Sequence, residues 1–260
     1  EINEKATYKR HNQGWVDEVY NDLDKVIDRA VKARNNNEAV SLAYIGNIVD
    51  LWERIVERDI FIELGSDQTS LHNPWSGGYY PNTISFEEAN RLIVDDVEKF
   101  KIEVKKTLVK HTNAINKLSA KGMMFFDYGN AFLLEASRAN ADILNSNGDF
   151  KYPSYVQDIM GPLCFDYGFG PFRWVCTSND PNDLNISDQI ALDVLNKLLT
   201  EAPEEIKLQL NDNINWIKSA RNNNMVVGSQ ARILYADADG RTKIAQAFND
   251  AILKGKISAP

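Results

Sequence analysis

The sequence predicts an α/β fold, and two observations support this prediction. Three short apolar runs, at residues 39–45, 60–64 and 122–126, have the length and composition of buried strands. Helix-length segments separate these runs, so the strands cannot be joined as hairpins and require right-handed crossovers. We therefore expect a mainly parallel sheet flanked by helices, with ligands bound beyond the carboxyl ends of the strands.

The helices are expected from apolar spacing and from capping residues. Apolar side chains recur every three or four positions, which is the period of a helix with one buried face. Ser85 and Glu88 form a capping box, which predicts where a long helix begins. Helices are expected over residues 15–34, 48–58, 85–120, 187–199, 203–221 and 241–253, and a further strand over residues 231–235.

The character of the sequence changes near residue 150. Residues 152–174 are rich in glycine, proline and aromatic residues and show no clear period, which indicates irregular structure or a junction between domains. We therefore expect one domain over residues 1–149 and part of a second α/β domain over residues 150–260.

Composition and charge exclude several classes of function. The 260 residues are 43 % hydrophobic and 25 % charged, as in soluble globular proteins. A net charge of −8 opposes binding to a phosphate backbone, so nucleic acid is not an expected partner. The longest apolar runs are far shorter than the roughly 18 residues of a membrane span, and no membrane association is expected. Two cysteines are too few for a disulfide framework, so a cytoplasmic location is expected.

The loop that follows the second predicted strand is the strongest candidate site. Residues 66–72 combine hydroxyls, an amide, a carboxylate and an imidazole, and the chain then bends at Gly77 and Gly78 onto Tyr79 and Tyr80. These groups could line a ligand site. The alternative is an ordinary polar surface loop that is rich in turns.

A second candidate follows the third predicted strand, at residues 127–130. Gly129 would let the backbone approach a ligand closely, and Tyr128 offers a ring and a hydroxyl. A tight turn from strand to helix explains the same residues equally well.

Cys164 and Arg173 lie in the glycine-rich segment. Cys164 has apolar neighbours, as a buried, inert cysteine does. Arg173 lies between Phe172 and Trp174, so its guanidinium could stack on a ring and bind a carboxylate, or only stack.

Of the three histidines, only His72 lies in a candidate site. His11 and His111 lie on polar stretches and are expected in solvent. The sequence contains none of the common metal-binding or nucleotide-phosphate motifs, and no metal site is expected.

Five stretches together resemble the urocanate hydratase family, or urocanases, in the order of the family. They are residues 46–47, 66–81, 126–130, 170–174 and 230–233, and residues 152–158 are similar to the eukaryote-like branch. The resemblance covers essentially the whole chain. It implies an enzyme of histidine breakdown that adds water to urocanate, giving 4-imidazolone-5-propionate. It also implies a Rossmann-like domain followed by part of a catalytic core, a homodimer, and tightly bound NAD+ that acts as an electrophile rather than as a hydride carrier.

The same resemblance implies the site residues. Glu1 falls where the family has the acidic residue that holds an adenosine ribose. The catalytic candidates are Cys164, whose spacing to Gly170 is one residue longer than in the family, and Arg173, which matches its motif. The implied cofactor-binding residues are Glu1, Asn47, Ile48, Gln68, Thr69, Ser70, Leu71, His72, Tyr79, Tyr80 and Tyr128.

The glycine-rich loop that cradles the dinucleotide phosphates is absent from the sequence. The chain therefore resembles an interior portion of the enzyme. An alternative function is a noncatalytic fragment with at most weak dinucleotide binding, and a third is a dehydrogenase that transfers hydride.

Overall fold

The structure, a computed structural model, describes residues 1–67, 73–129, 131–220 and 230–258. The chain divides into two compact units, Glu1–Ile159 and Met160–Pro260. The boundary expected at residue 149 falls inside the first unit.

The first unit alternates helices with short strands. β1 pairs with β2 and β3 pairs with β4, and both pairs are parallel, as expected for an α/β fold. The described elements are α1 (Glu4–Asn12), β1 (Glu18–Tyr20), α2 (Leu23–Asn35), β2 (Leu42–Tyr44), α3 (Ile48–Glu57), β3 (Leu64–Asp67), α4 (Phe86–Asp95), α5 (Val97–Ser119), β4 (Met124–Asp127) and α6 (Phe132–Arg138).

Helix α2 begins later than its apolar spacing suggests. Residues 18–20 pair with β2 as a strand, so the expectation of a helix from residue 15 is wrong. Asp22 marks the true start, because its side chain accepts a hydrogen bond from the backbone nitrogen of Lys25 at 3.0 Å. Apolar residues at 16, 19 and 20 fit a helical face, but long-range pairing decides their conformation.

The strands β3 and β4 also lie later than expected. The apolar run at residues 60–64 mostly precedes β3, where Ile60 and Ile62 pack against the core. Within β3, Gly65 and Asp67 are buried while Leu64 and Ser66 are exposed. Because burial alternates, the strand does not form one continuous apolar run. Residues expected in loops therefore end the strands instead.

The long helix expected from residue 85 to 120 is two helices. Its start is confirmed, since the hydroxyl of Ser85 accepts a hydrogen bond from the backbone nitrogen of Glu88 at 3.1 Å. The break falls at Asp96, which has φ −153° and ψ 77°. The Asp96 backbone nitrogen still bonds to Leu92, while its side chain caps α5 through Lys99.

Helix α5 lies in the core of the first unit. Phe100, Val104, Leu108 and Ile115 on α5 are completely buried and pack with residues of the other helices and of β4. Helices α3 and α5 contact each other, so the residues at the start of α3 are held against the centre of the unit.

The second unit contains an antiparallel strand pair with helices. β5 lies in the segment expected to be irregular, and Gly170 of β5 lies opposite Ala236 of β6. The expectation of irregular structure is therefore wrong for residues 170–174, because pairing with the distant β6 imposes strand geometry on a segment with no period of its own. The boundary between the two units, after Ile159, falls inside the same segment, which agrees with the alternative of a domain junction. The described elements are α7 (Gly161–Leu163), β5 (Gly170–Val175), α8 (Pro181–Glu201), α9 (Glu204–Ala220), β6 (Ala231–Ala236) and α10 (Ala238–Leu253).

A separate core stabilises the second unit. Trp174 of β5 packs on Phe248 of α10, with ring centroids 5.3 Å apart. Leu184 and Leu195 of α8 and Ile244 of α10 are almost completely buried in the same core. Among the helices within the described ranges, none is both long and apolar enough to cross a membrane.

Candidate functional site

A cavity of about 660 Å³ lies at the carboxyl ends of β2 and β3. Three separate stretches of chain with implied cofactor contacts contribute to its lining, together with Ser66 and Asp67 at the end of β3. A volume of this order is typical of small-molecule sites. The implied contacts that line the cavity are Glu1, Asn47, Ile48, Tyr79 and Tyr80.

Glu1 is held beside the turn that follows β2. Its backbone nitrogen donates to the carbonyl oxygen of Tyr44 at 3.0 Å, and its own carbonyl oxygen accepts from the nitrogen of Gly46 at 3.0 Å. These two bonds hold Glu1 beside the end of β2 and place its carboxylate in the lining of the cavity. A carboxylate in this position can accept hydrogen bonds from ribose hydroxyls.

Asn47 joins two walls of the cavity. Its side-chain oxygen accepts from the backbone nitrogen of Val49 at 3.0 Å and so caps α3, which begins at Ile48 as expected. Its side-chain nitrogen donates to the carbonyl oxygen of Tyr80 at 2.8 Å. The next residue, Ile48, is 41 % exposed and lines the cavity, so α3 begins at the cavity wall. The positive end of the α3 dipole favours a negatively charged ligand there.

The glycine pair forms the turn that the sequence suggests. Gly77 has φ +93°, a left-handed conformation that favours glycine. Gly78 donates its backbone nitrogen to the carbonyl oxygen of Asn73 at 2.8 Å, and a Cβ atom at position 78 would lie 2.5 Å from that same oxygen. The turn therefore has no room for a side chain, and it directs the chain onto the two tyrosines.

Tyr80 is fixed at the rim of the cavity. Its hydroxyl donates to the side-chain oxygen of Asn90 on α4 at 2.6 Å. Its ring lies 4.9 Å from the ring of Phe86, another lining residue. Because the hydroxyl is engaged with α4, Tyr80 offers a ligand mainly its aromatic ring.

Tyr79 belongs to the core as much as to the cavity. It is only 3 % exposed, and its hydroxyl lies 3.1 Å from Nδ1 of His111 on α5. Burial raises the pKa of Tyr79 well above its usual value, and the charge of Asp67 adds to the effect. Burial lowers the pKa of His111 to about 3. Both groups are therefore uncharged at neutral pH.

The expectation that His111 lies in solvent is wrong. His111 is 1 % exposed, and its ring lies 4.9 Å from the ring of Phe132. It follows Val104 and Leu108 and precedes Ile115 at intervals of three or four residues, so it lies on the buried face of α5. This spacing is the signal in the sequence, but the polar residues beside His111 conceal it. His11, in contrast, is exposed as expected.

The ends of β3 and β4 carry two buried carboxyl side chains. Asp67 lies directly opposite Asp127 in the parallel register. Asp127 accepts a hydrogen bond from the nitrogen of Gly129 at 2.8 Å, which shapes the turn after β4. The backbone nitrogen of Tyr128 donates to the carbonyl oxygen of Asp67 at 3.2 Å. The turn after β4 is therefore tied to the strand end that lines the cavity.

Tyr128 lies beside the cavity but outside its lining as the described residues define it. Its ring stacks on Tyr155, with centroids 4.9 Å apart and planes inclined by 7°. A second cavity of about 680 Å³ opens at the same strand end, and its lining includes Asp127 and Gly129. Tyr155 is not among the site residues that the resemblance implies, although it lies in the stretch similar to the eukaryote-like branch.

The remaining cofactor candidates, Gln68, Thr69, Ser70, Leu71 and His72, lie outside the described residues, as does Asn130. Across the described part of the chain, no group of three or more His, Cys, Asp or Glu residues is arranged to hold a metal ion.

The two catalytic candidates belong to the second unit. Cys164 is 8 % exposed, and its carbonyl oxygen accepts hydrogen bonds from the nitrogens of Tyr167 and Phe169. Arg173 is exposed on β5, whereas the ring centroids of Phe172 and Trp174 lie 5.9 Å apart. Successive side chains of a strand point to opposite faces, so the expected placement of Arg173 between two rings is wrong.

Comparison with known proteins finds similarity along the whole chain. Residues 1–159 match the family model of the urocanase Rossmann-like domain, and residues 162–260 match that of the urocanase C-terminal domain.

Named relatives cover all of this chain. A probable urocanate hydratase of Dictyostelium discoideum is 55 % identical over 266 residues, which is 100 % of this chain and 39 % of the relative. A probable urocanate hydratase of Caenorhabditis elegans is 50 % identical, with 100 % and 39 % covered. A urocanate hydratase of Mus musculus is 51 % identical, with 100 % and 40 % covered. The chain thus spans about two fifths of the length of these curated relatives.

Proposed function

The chain belongs to the urocanase family, and on that premise we propose that it forms part of a urocanate hydratase. Such an enzyme is a hydro-lyase that adds water to urocanate, giving 4-imidazolone-5-propionate in histidine breakdown. The observation that carries the proposal is the cavity at the ends of β2 and β3, whose lining combines Glu1 with residues from two of the stretches that resemble the family. Relatives that bear this enzyme's name support the same assignment.

We propose NAD+ as the cofactor of this cavity. The donor and acceptor groups suit a dinucleotide, since Glu1 offers a carboxylate for a ribose, the start of α3 favours phosphate, and Tyr80 offers an aromatic ring. When bound, NAD+ supplies an electrophilic nicotinamide ring. The residues that line the cavity would hold that ring in a fixed orientation toward the substrate.

The roles proposed for this chain's own residues follow from their contacts. Asn47 fixes the wall of the cavity because it bonds to both Val49 and Tyr80. Residues 68–72, which continue from the end of β3, are proposed to complete the cofactor contacts. In the second unit, the exposed guanidinium of Arg173 is proposed to bind the carboxylate of urocanate.

Cys164 is proposed as the second catalytic residue, on the strength of its motif alone. C164S tests this role, because a serine preserves the size of the side chain but is a much weaker nucleophile. A loss of turnover without a loss of bound NAD+ supports a catalytic role. Full activity would reduce Cys164 to a packing residue.

The assignment is tested by releasing the cofactor and by following the substrate. The purified protein is denatured and the supernatant is analysed for NAD+, and the ultraviolet absorbance of urocanate is then followed with the native protein. Bound NAD+ together with loss of urocanate is the expected result. A folded, cofactor-free and inactive protein supports the noncatalytic alternative, and substrate-dependent formation of NADH supports a dehydrogenase.

A cytoplasmic homodimer is proposed as the setting of this activity, and both features rest on resemblance and composition. Light scattering after gel filtration measures the mass of the assembly, and a monomer would contradict the dimer. A net charge of −8 continues to disfavour nucleic acid as a partner.

A further inference from the structure

A third extended segment lies beside the ends of β3 and β4. Ser154 forms a parallel bridge with Asp127, and the nitrogen of Asp127 donates to the carbonyl oxygen of Pro153 at 3.0 Å. Asp67, Asp127 and Ser154 thus end three neighbouring segments that run in the same direction. Ligands of α/β sheets bind just beyond such ends, and Tyr155 is the first residue beyond the third one.

Tyr155 and Tyr128 form a nearly parallel pair of rings. Their centroids lie 4.9 Å apart and their planes differ by 7°. The ring centroid of Tyr155 also lies 5.5 Å from that of Phe126 on β4. Tyr128 is 38 % exposed, whereas Tyr155 is half-buried. Tyr155 therefore connects the outer ring of Tyr128 to the strand.

The backbone around Tyr155 is fixed locally. The nitrogen of Ser154 donates to the carboxylate of Asp158 at 2.7 Å, and residues 155–160 form a single π-helical turn. Such turns occur frequently at functional sites. Because Ser154 is also bridged to β4, Tyr155 cannot shift along the sheet without breaking these contacts.

The ring pair lies where the two cavities approach each other. Asp127 and Gly129, on either side of Tyr128 in sequence, line the second cavity, as do the residues on either side of Tyr155. Through its backbone nitrogen, Tyr128 also bonds to Asp67, which lines the first cavity. A dinucleotide that extends from the first cavity along the strand ends would meet the ring of Tyr128.

We propose that Tyr155 is a positioning residue of the dinucleotide site, which holds the ring of Tyr128 in a fixed plane so that Tyr128 stacks against a planar ring of the bound dinucleotide. The inference rests on the proposed function, since it requires a dinucleotide in this unit. Tyr155 acts through Tyr128, so its role depends on its ring and not on its hydroxyl. Stacked aromatic rings attract each other beyond the area they bury.

The first test compares two variants of Tyr155, each made in the complete natural protein. Y155F keeps the ring, whereas Y155M keeps most of the apolar bulk without a ring. After removal of bound cofactor, titration with NAD+ should give Y155F a dissociation constant close to that of the wild type. Y155M should bind NAD+ about 2- to 10-fold more weakly. Equal affinity for NAD+ in Y155M and wild type would overturn the inference.

The second test asks whether Tyr155 acts through Tyr128. Y128M alone should weaken NAD+ binding, and adding Y155M to Y128M should weaken it no further, because the ring being positioned is already gone. Independent, additive losses of affinity in the double variant would contradict a positioning role. Y8L, a change at an exposed tyrosine of α1, serves as the control and should bind NAD+ normally.

Folding and binding are separated by the melting temperature of each variant. If Y155M melts well below the wild type, Y155L replaces it as the ringless variant in both comparisons. A wild-type protein that binds no NAD+ contradicts the proposed function. A wild type that binds NAD+ beside ringless variants that bind it equally well contradicts only the role of Tyr155.

Discussion

The hydroxyl of Tyr79 lies 3.1 Å from Nδ1 of His111, and both side chains are buried. This contact joins the loop that follows β3 to the central helix α5. The two partners are uncharged, so the bond avoids the cost of burying an ion. It also makes the wall of the cavity dependent on a histidine that lies far from the candidate site in sequence.

The first prediction concerns stability in weak acid. The pKa of His111 is about 3 in the folded chain and about 6.5 when exposed, so the unfolded state takes up the proton first. The contribution of His111 to the free energy of unfolding is therefore fully present above about pH 6.5. Below that pH, the free energy of unfolding falls by at most about 1.4 kcal/mol per pH unit. Urea unfolding between about pH 5 and 7.5 measures this fall.

The matched variants for this pH test are H111N and H11N. Asparagine can replace Nδ1 as a partner of Tyr79 but does not titrate. The free energy of unfolding of H111N should therefore stay nearly constant from about pH 7.5 down to about pH 5. H11N, at an exposed histidine, should retain it. Paired carboxylates such as Glu18, whose pKa is lowered by Arg29, lose their contribution only at lower pH. An unchanged pH dependence in H111N would contradict the burial of this imidazole.

The second prediction isolates the bond between Tyr79 and His111. Y79F removes the hydroxyl and leaves a buried imidazole nitrogen without its partner, so it should destabilise the protein by about 1–3 kcal/mol. In the double variant Y79F/H111F neither polar partner remains. The loss of unfolding free energy in the double variant should therefore be smaller than the sum of the two single losses. Strict additivity would indicate that the contact contributes nothing.

The third prediction separates the two roles of Asn47. N47A removes both the cap of α3 and the bond to Tyr80, and it should cost about 0.5–2 kcal/mol of stability. N47S restores a capping oxygen but is too short to reach Tyr80, so it should recover most of the stability. If the bond to Tyr80 shapes the cofactor site, N47S should still retain less NAD+ than the wild type. Normal retention of NAD+ in N47S would show that the bond is dispensable.

The fourth prediction concerns the second unit. Arg232 on β6 bonds to the carboxylate of Asp188 on α8 at 2.8 Å, and their side chains are 1 % and 9 % exposed. R232M leaves a buried carboxylate without this cation and should cost about 3–5 kcal/mol of stability. The double variant D188L/R232M removes both charges and should be markedly more stable than R232M. Thermal unfolding of the three proteins decides between these outcomes.

Local signals in the sequence predict much of the cavity. Asn47 before a helical pattern identifies the start of α3, and Ser85 identifies the start of α4, because capping depends on residues close together in the chain. Gly77 and Gly78 identify a turn for the same reason. Each of these signals acts over only a few residues, so they predict helix starts and turns, whereas the expectation that the separate motifs form one site comes from the resemblance to the family.

Features that depend on distant partners were not predictable in this way. β1 and β5 are strands only because β2 and β6 pair with them, and β1 carries an apolar pattern that also fits a helix. The burial of His111 follows from the packing of α5, and the stacking of Tyr128 on Tyr155 brings together side chains 27 positions apart in sequence.

Tyr79 and Tyr80 are adjacent in sequence, yet each is fastened to a different helix. Tyr80 bonds to Asn90 on α4, Tyr79 contacts His111 on α5, and the two helices meet at Asp96. A change in the angle between α4 and α5 would therefore pull the two aromatic side chains in different directions. The junction at Asp96 thus fixes the spacing of Tyr79 and Tyr80, which both line the cavity.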